Sequence, residues 1–171
     1  MLGKSLKAKP NPAEILNKNI YNEVFLMMHA HDVRTCMDAT NNPDTRRKIL
    51  ILEQDEYLAS LMHLLLYREG FAITAITHID QLTPQVQAQT APMMLFVSHR
   101  WLRDDKPIVL KMIKSCPLWK NVPLIMLMNY YDLDLIERVT ELGITDHLLQ
   151  PFEPAALIDI ICKYANGISL N

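Results

Sequence analysis

From Lys48 onward, short uncharged apolar runs alternate with amphipathic segments, and that alternation sets the expected elements. Ile49 to Leu52 follows Arg46-Arg47-Lys48, is too short for a helix, and has the pattern of a strand buried on both faces. The next segment carries Leu58, Leu61, Met62 and Leu65 on one side and stops at Gly70, the residue best suited to a left-handed helix end. Phe71 to Ile76 reads as a second strand, followed by a weaker helix through Ile79, Leu82 and Val86, interrupted or restarted at Thr83-Pro84. Met93 to Val97 is the third strand, Pro107 to Lys114 the next helix, and Val122 to Met128 the fourth strand. Asp132 to Leu142 is a helix ending at Gly143, His147 to Leu149 a short fifth strand, and Pro154 to Tyr164 the closing helix. Repeated strand–helix units predict a parallel sheet covered on both faces, since parallel strands need crossover connections.

The first 45 residues follow another pattern. Asn11-Pro12-Ala13-Glu14 supplies a capping side chain, a proline at the first helical position and an early carboxylate, so a helix is expected to begin there. Leu16, Ile20, Val24, Met27, Met28 and His31 recur at helical spacing as far as about Met37, and Asp38 to Asp44 reads as a linker. Such a helix would extend roughly 35–40 Å at 1.5 Å per residue. Its apolar stripe could pack on the following domain, form a dimer, or receive a partner. The expected domains are therefore 1–45, a helical extension with linker, and 46–171, the α/β domain.

Composition narrows the function classes. Half of the 171 residues are apolar, enough for one core of ordinary size. Lys and Arg number 17 against 19 acidic residues, a net charge of -2, which offers no general attraction to nucleic acid or anionic membrane. The N-terminus lacks a signal-peptide apolar region, and no long uncharged apolar run suggests a membrane span. The three cysteines, Cys36, Cys116 and Cys162, have neither metal-site nor local disulfide spacing, so reduced thiols and a cytoplasmic location are expected.

In open parallel sheets, chemistry gathers at the carboxyl ends of the strands. Those ends carry Glu53-Gln54-Asp55, Ser98-His99, Met128-Asn129 and Gln150-Pro151-Phe152. Lys48-Ile-Leu-Ile-Leu-Glu-Gln-Asp-Glu-Tyr57 resembles the opening of response-regulator receiver domains, and Pro92 to Ser98 resembles the strand that ends at their phosphoacceptor aspartate. From Ser98 to Phe152 the spacing is similar to that of chemotaxis-type receivers without a gap. The resemblance covers roughly residues 46 to 165. It implies a flavodoxin-like, doubly wound, five-stranded parallel sheet in the order 2-1-3-4-5, with the N-terminal helix added, and a cis bond before Pro151.

The departures from that family's pattern fall on its chemistry. Receiver phosphorylation uses a carboxylate nucleophile, carboxylates that hold magnesium, and a hydroxyl and a lysine that stabilise the phosphoryl oxygens. Here Ser98 occupies the acceptor position, whose neutral hydroxyl cannot form an acyl phosphate. Glu53 survives from the acidic pair while Gln54 replaces its second member, and Asp55 is the next residue along. Met128 stands at the hydroxyl position and Gln150 at the lysine position, which keeps an amide but not the cation. The switch-aromatic position falls on His147, and the proline and glycine of the loop after the acceptor fall on Leu102 and Lys106, so that loop should be reshaped. Magnesium binding is expected to be weak or absent, with no other cofactor and no catalytic residue.

The expected function is thus a non-enzymatic pseudo-receiver that binds protein partners in a two-component or related bacterial signalling pathway. The alternatives are an atypical phosphorelay receiver still phosphorylated, for instance on Ser98, and a flavodoxin-like cofactor domain. The latter lacks a phosphate-cradling loop after the first strand. A Ser98/His99/Asp hydrolase lacks the Gly-x-Ser-x-Gly elbow, and His29-Ala30-His31 does not place both rings on one helix face. Trp101 and Arg103 form a candidate contact patch, with cover over the altered pocket as the other role for Trp101, while Met27 and Met28 suit an adaptable interface. A homodimer could form through the N-terminal helix or, by family resemblance, through the fourth-helix and fifth-strand face around Asp132 to His147. No DNA-binding helix pair or output domain fits in the extension, so output is expected to come through partners.

Overall fold

The structure is a computed structural model, and it describes residues 47–88, 90–102, 108–129 and 143–167. All of them belong to the second of the two units into which the chain divides, Thr35–Asn171. The expected N-terminal helix with Met27 and Met28, the helix Asp132 to Leu142, and Arg103 lie outside the described residues.

The strands are β1 (Lys48–Leu52), β2 (Ala72–Ile76), β3 (Met94–Ser98), β4 (Leu124–Asn129) and β5 (Asp146–Gln150). They form one sheet in the order β2-β1-β3-β4-β5, and every neighbouring pair is parallel. The flanking helices are α1 (Glu56–Arg68), α2 (Leu82–Gln87), α3 (Ile108–Ser115) and α4 (Pro154–Gly167). This is the α/β sheet and strand order that the sequence leads one to expect. Central β3 is buried along its whole length, whereas edge strand β2 is half-buried except at Ile76. Unbroken apolar runs therefore mark strands with both faces covered.

Several boundaries differ from the sequence reading for local reasons. Phe71 and Met93 precede their strands, with Phe71 buried in the turn after α1. β4 begins only after Pro123, which has no N–H for a sheet ladder. A 3₁₀ turn at Ile79–Gln81 leads directly into α2, so Pro84 does not interrupt the helix. It lies in the first turn, where backbone N–H groups lack helical partners in any case. Further 3₁₀ turns, at His99–Leu102 and Pro117–Trp119, were not expected.

Asp55 starts α1: its Oδ1 accepts hydrogen bonds from the N–H groups of Tyr57 and Leu58 at 3.0 and 3.1 Å. The helix ends where Gly70 adopts φ +90°, a conformation that disfavours other residues, and the Phe71 N–H closes back on the Leu66 carbonyl at 3.2 Å. The buried face comprises Ala59, Met62, Leu65 and Leu66. Leu58 and Leu61, expected on that face, are only half-buried.

On the other flank, Leu82, Leu110, Ile113 and Trp119 join the strand residues in a continuous core. Trp119 donates its indole N–H to the Thr90 carbonyl at 3.1 Å, which satisfies the polar end of a large buried ring. The reduced-thiol expectation holds at Cys116 but fails at Cys162, which is disulfide-bonded. Local Cys spacing reports only nearby pairings, so it gave no sign of this bond. No helix of the described residues is long and apolar enough to cross a membrane.

Candidate functional site

The parallel register gathers the sequence-predicted pocket positions at one edge of the sheet. Leu52 pairs with Val97, Ser98 with Leu127, Met128 with Leu149, and Asn129 with Gln150. Glu53, Ser98, Met128 and Gln150 consequently lie at the carboxyl ends of adjacent strands β1, β3, β4 and β5. With strands about 4.8 Å apart, the row from β1 to β5 spans about 14 Å.

Each position is held by its strand. The Glu53 N–H donates to the Ile76 carbonyl at 3.0 Å, which extends the β1–β2 ladder by one step. This carries the Glu53 side chain into the interior, where the residue is 1% exposed. Its Oε1 accepts the Asp55 N–H at 2.9 Å. Gln54, between them, is exposed, and Asp55 is committed to capping α1. The acidic-looking triplet thus divides into a buried carboxylate tied to local backbone, an outward amide and a helix cap.

Ser98 at the end of β3 is 1% exposed, and Met128 in β4 is fully buried. His99 is also buried, and its Nδ1 lies 3.2 Å from the Leu127 carbonyl. A carbonyl only accepts, so Nδ1 carries the hydrogen in this contact. The imidazole therefore ties the start of the post-β3 turn to β4, and that nitrogen does not serve Ser98 as a base. Only the strand register exposes this role; the dipeptide Ser98-His99 carried no signal for it.

Gln150 precedes Pro151 through a cis peptide bond. Its Nε2 is buried and, among the described residues, has no hydrogen-bond partner. Trp101 Nε1 is in the same condition. Trp101 is partly buried, and its ring packs against the main core. It lies in the 3₁₀ turn His99–Leu102 that directly follows β3.

His147 is exposed on β5. Beside it, Asp146 accepts the His147 backbone N–H at 2.8 Å, the Lys163 ammonium at 2.6 Å and the Tyr164 hydroxyl at 2.9 Å. Burial works to raise the Asp146 pKa, but the Lys163, His147 and Tyr164 hydrogen bonds and the Lys163 charge outweigh it and hold the carboxyl below its ordinary value. Sequence reading missed this cluster, since the Asp146-to-Lys163 separation gives no local pairing signal.

The edge therefore presents one buried carboxylate, one hydroxyl, one thioether and one amide. A hard divalent cation needs several oxygen ligands, with anionic ones dominant, and this set does not fit one: Ser98 is neutral, Gln54 points outward and Asp55 is engaged elsewhere. Among the described residues, no group of three or more His, Cys, Asp or Glu side chains could hold a metal ion. The Ser98 hydroxyl can carry a phosphate ester, but no carboxylate at that position can form an acyl phosphate.

No protein-family model matches the sequence, and no curated protein matches it. Solved structures do resemble it. The chemotaxis response regulator CheY4 of Vibrio cholerae superposes with a TM-score of 0.62 at 15% identity, over 70% of this chain and 99% of that one. A response regulator receiver protein from Burkholderia phymatum gives 0.61 at 17% identity, over 71% and 96%. Full-length FixJ from B. japonicum gives 0.60 at 20% identity, and the match covers 71% of this chain but 59% of FixJ. At these identities the likeness establishes the fold: the described residues form a response-regulator receiver fold.

Proposed function

We propose that this chain is a pseudo-receiver, a signalling module that acts by binding protein partners and not by aspartate phosphorylation or enzymatic turnover. The observation that carries this reading is Ser98, a buried neutral residue at the end of β3 where the receiver resemblance places the phosphoacceptor carboxylate. Buried Met128 and the amide of Gln150 support it, because neither can supply the hydroxyl or the cation that phosphoryl transfer uses. Magnesium binding is weak or absent in this reading, since Glu53 alone is a poor site for a hard cation. The pathway is a bacterial two-component or related one, in keeping with the structures the chain resembles. A net charge of -2 favours protein partners over nucleic acid or membrane.

Incubation with a small acyl-phosphate donor and magnesium, followed by intact mass measurement, tests the proposal. The expected result is an unchanged mass. A stable phosphoryl adduct lost on substitution of Ser98 would instead establish an atypical phosphorelay role.

A further inference from the structure

The inner side of α1 is fully committed to the core through Ala59, Met62, Leu65 and Leu66. Its outer side carries large apolar groups that are substantially exposed: Tyr57 is 62% exposed, Leu64 47%, and Tyr67, whose ring stacks on His63, 51%. Three of the six large hydrophobic residues exposed among the described residues thus fall on one helix of 13 residues. Tyr57 and Leu64 are separated by two helical turns and lie in line, with Tyr67 one further turn along and to the side. Clustered apolar exposure of this kind marks an interaction surface, whereas scattered single residues do not.

The charges at the two ends specify the occupant. Glu56 begins the helix and Arg68 ends it, both exposed, about 18 Å apart at 1.5 Å per residue. We propose that this face pairs antiparallel with α1 of a second copy of the chain, about a two-fold axis level with residue 62. Glu56 then lies opposite the second copy's Arg68 at both ends, Tyr57 lies opposite Tyr67, and small Ser60 faces Leu64. A two-fold axis presents the same patch from both chains, so the patch must complement itself, and this one does. Parallel pairing would set Glu56 against Glu56 and Arg68 against Arg68. A single helix face is at the low end of interface sizes, so the dimer dissociates on dilution. The surface is separate from the strand-edge pocket and does not depend on its chemistry.

Sedimentation velocity of the full chain over a range of concentrations tests the pairing. A concentration-dependent monomer–dimer equilibrium is expected. Leu64→Glu should weaken it by about 30-fold or more, the loss typical of a central apolar contact. Glu56→Arg or Arg68→Glu alone should weaken it about fivefold, since the symmetry counts each exposed pair twice. The double reversal, Glu56→Arg with Arg68→Glu, should recover most of that loss. All three positions are exposed, and unchanged circular dichroism verifies that each of the four variants folds. A monomer at every concentration overturns the proposal and leaves the stripe to another occupant. A dimer indifferent to Leu64→Glu, or a double reversal no tighter than either single one, overturns it equally.

Discussion

At the carboxyl edge of the sheet, Glu53, Ser98 and His99 are polar and buried; on the outer face of α1, Tyr57 and Leu64 are apolar and exposed. Both depart from ordinary partitioning, and such departures are the informative ones. They differ in what they leave open. At the edge, Glu53 accepts the Asp55 N–H and His99 reaches the Leu127 carbonyl, so much of the polarity is turned inward and used up by the fold. On α1, the stripe of Tyr57, Leu64 and Tyr67 is substantially exposed and lies opposite the face that joins the core. The edge of this receiver fold thus spends much of its polarity on the fold itself, with Gln150 Nε2 and Trp101 Nε1 left unpaired among the described residues, while the outer face of α1 keeps apolar groups exposed.

The strongest way to break this comparison is to put the missing carboxylate back. Ser98→Asp should cost about 3 kcal/mol at neutral pH, because it buries a second negative charge beside Glu53 with no cation in the row. Urea unfolding measures the loss. Burial raises the new carboxyl's pKa in the folded state, so the penalty is full above that value, fades as pH falls through it, and is gone below the unfolded one. Adding Gln150→Lys should recover about 1 kcal/mol or more. Wild-type stability for Ser98→Asp alone at neutral pH would show that the edge is not closed.

Next in size is Asp55→Ala, which removes the α1 cap and should cost about 1 kcal/mol. The loss should be the same with and without magnesium. If magnesium stabilised the wild type and this substitution abolished the effect, Asp55 would be a ligand and the division of the acidic triplet would be wrong. On the open surface, Leu64→Glu should change the unfolding free energy of the dilute chain by no more than about 0.5 kcal/mol. A larger loss would place Leu64 in the core and remove one side of the contrast.

The smallest effect is expected at Asp146. Its folded pKa is lowered, so its contribution is present above the ordinary carboxylate value and disappears as pH falls through the folded one. The stability difference between wild type and Asp146→Asn should therefore vanish in acid. At the alkaline end, the Lys163 pKa is raised by its hydrogen bond to Asp146, and that contribution is lost as pH rises through the folded value. Unfolding curves recorded across both ranges test the two signs.

The central strands were legible because Ile49 to Leu52, Met94 to Val97 and Leu124 to Met128 are unbroken apolar runs, the mark of burial on both faces. β5 was read too short because Asp146 and Gln150, polar by type, lie within its ladder. The pocket positions could be named from spacing, but their environment could not. Whether Glu53 turned in and Gln54 out depended on one extra rung of the β1–β2 ladder. The face of α1 was misjudged for a different reason: Tyr57, Leu58, Leu61, Met62, Leu64, Leu65, Leu66 and Tyr67 surround so much of the helix that periodicity does not select one side. Tertiary packing made that choice, and it left the tyrosines out.

The indole of Trp101 also gives the molecule a built-in optical probe. The chain has two tryptophans. Trp119 is anchored to the Thr90 carbonyl, whereas Trp101, in the turn directly after Ser98, keeps its N–H buried and unpaired among the described residues. In a Trp119→Phe background the fluorescence comes from Trp101 alone, and its emission wavelength follows the polarity around a single ring. Any event that rearranges the turn behind Ser98 should then shift the spectrum, while pairing at α1 should leave it unchanged.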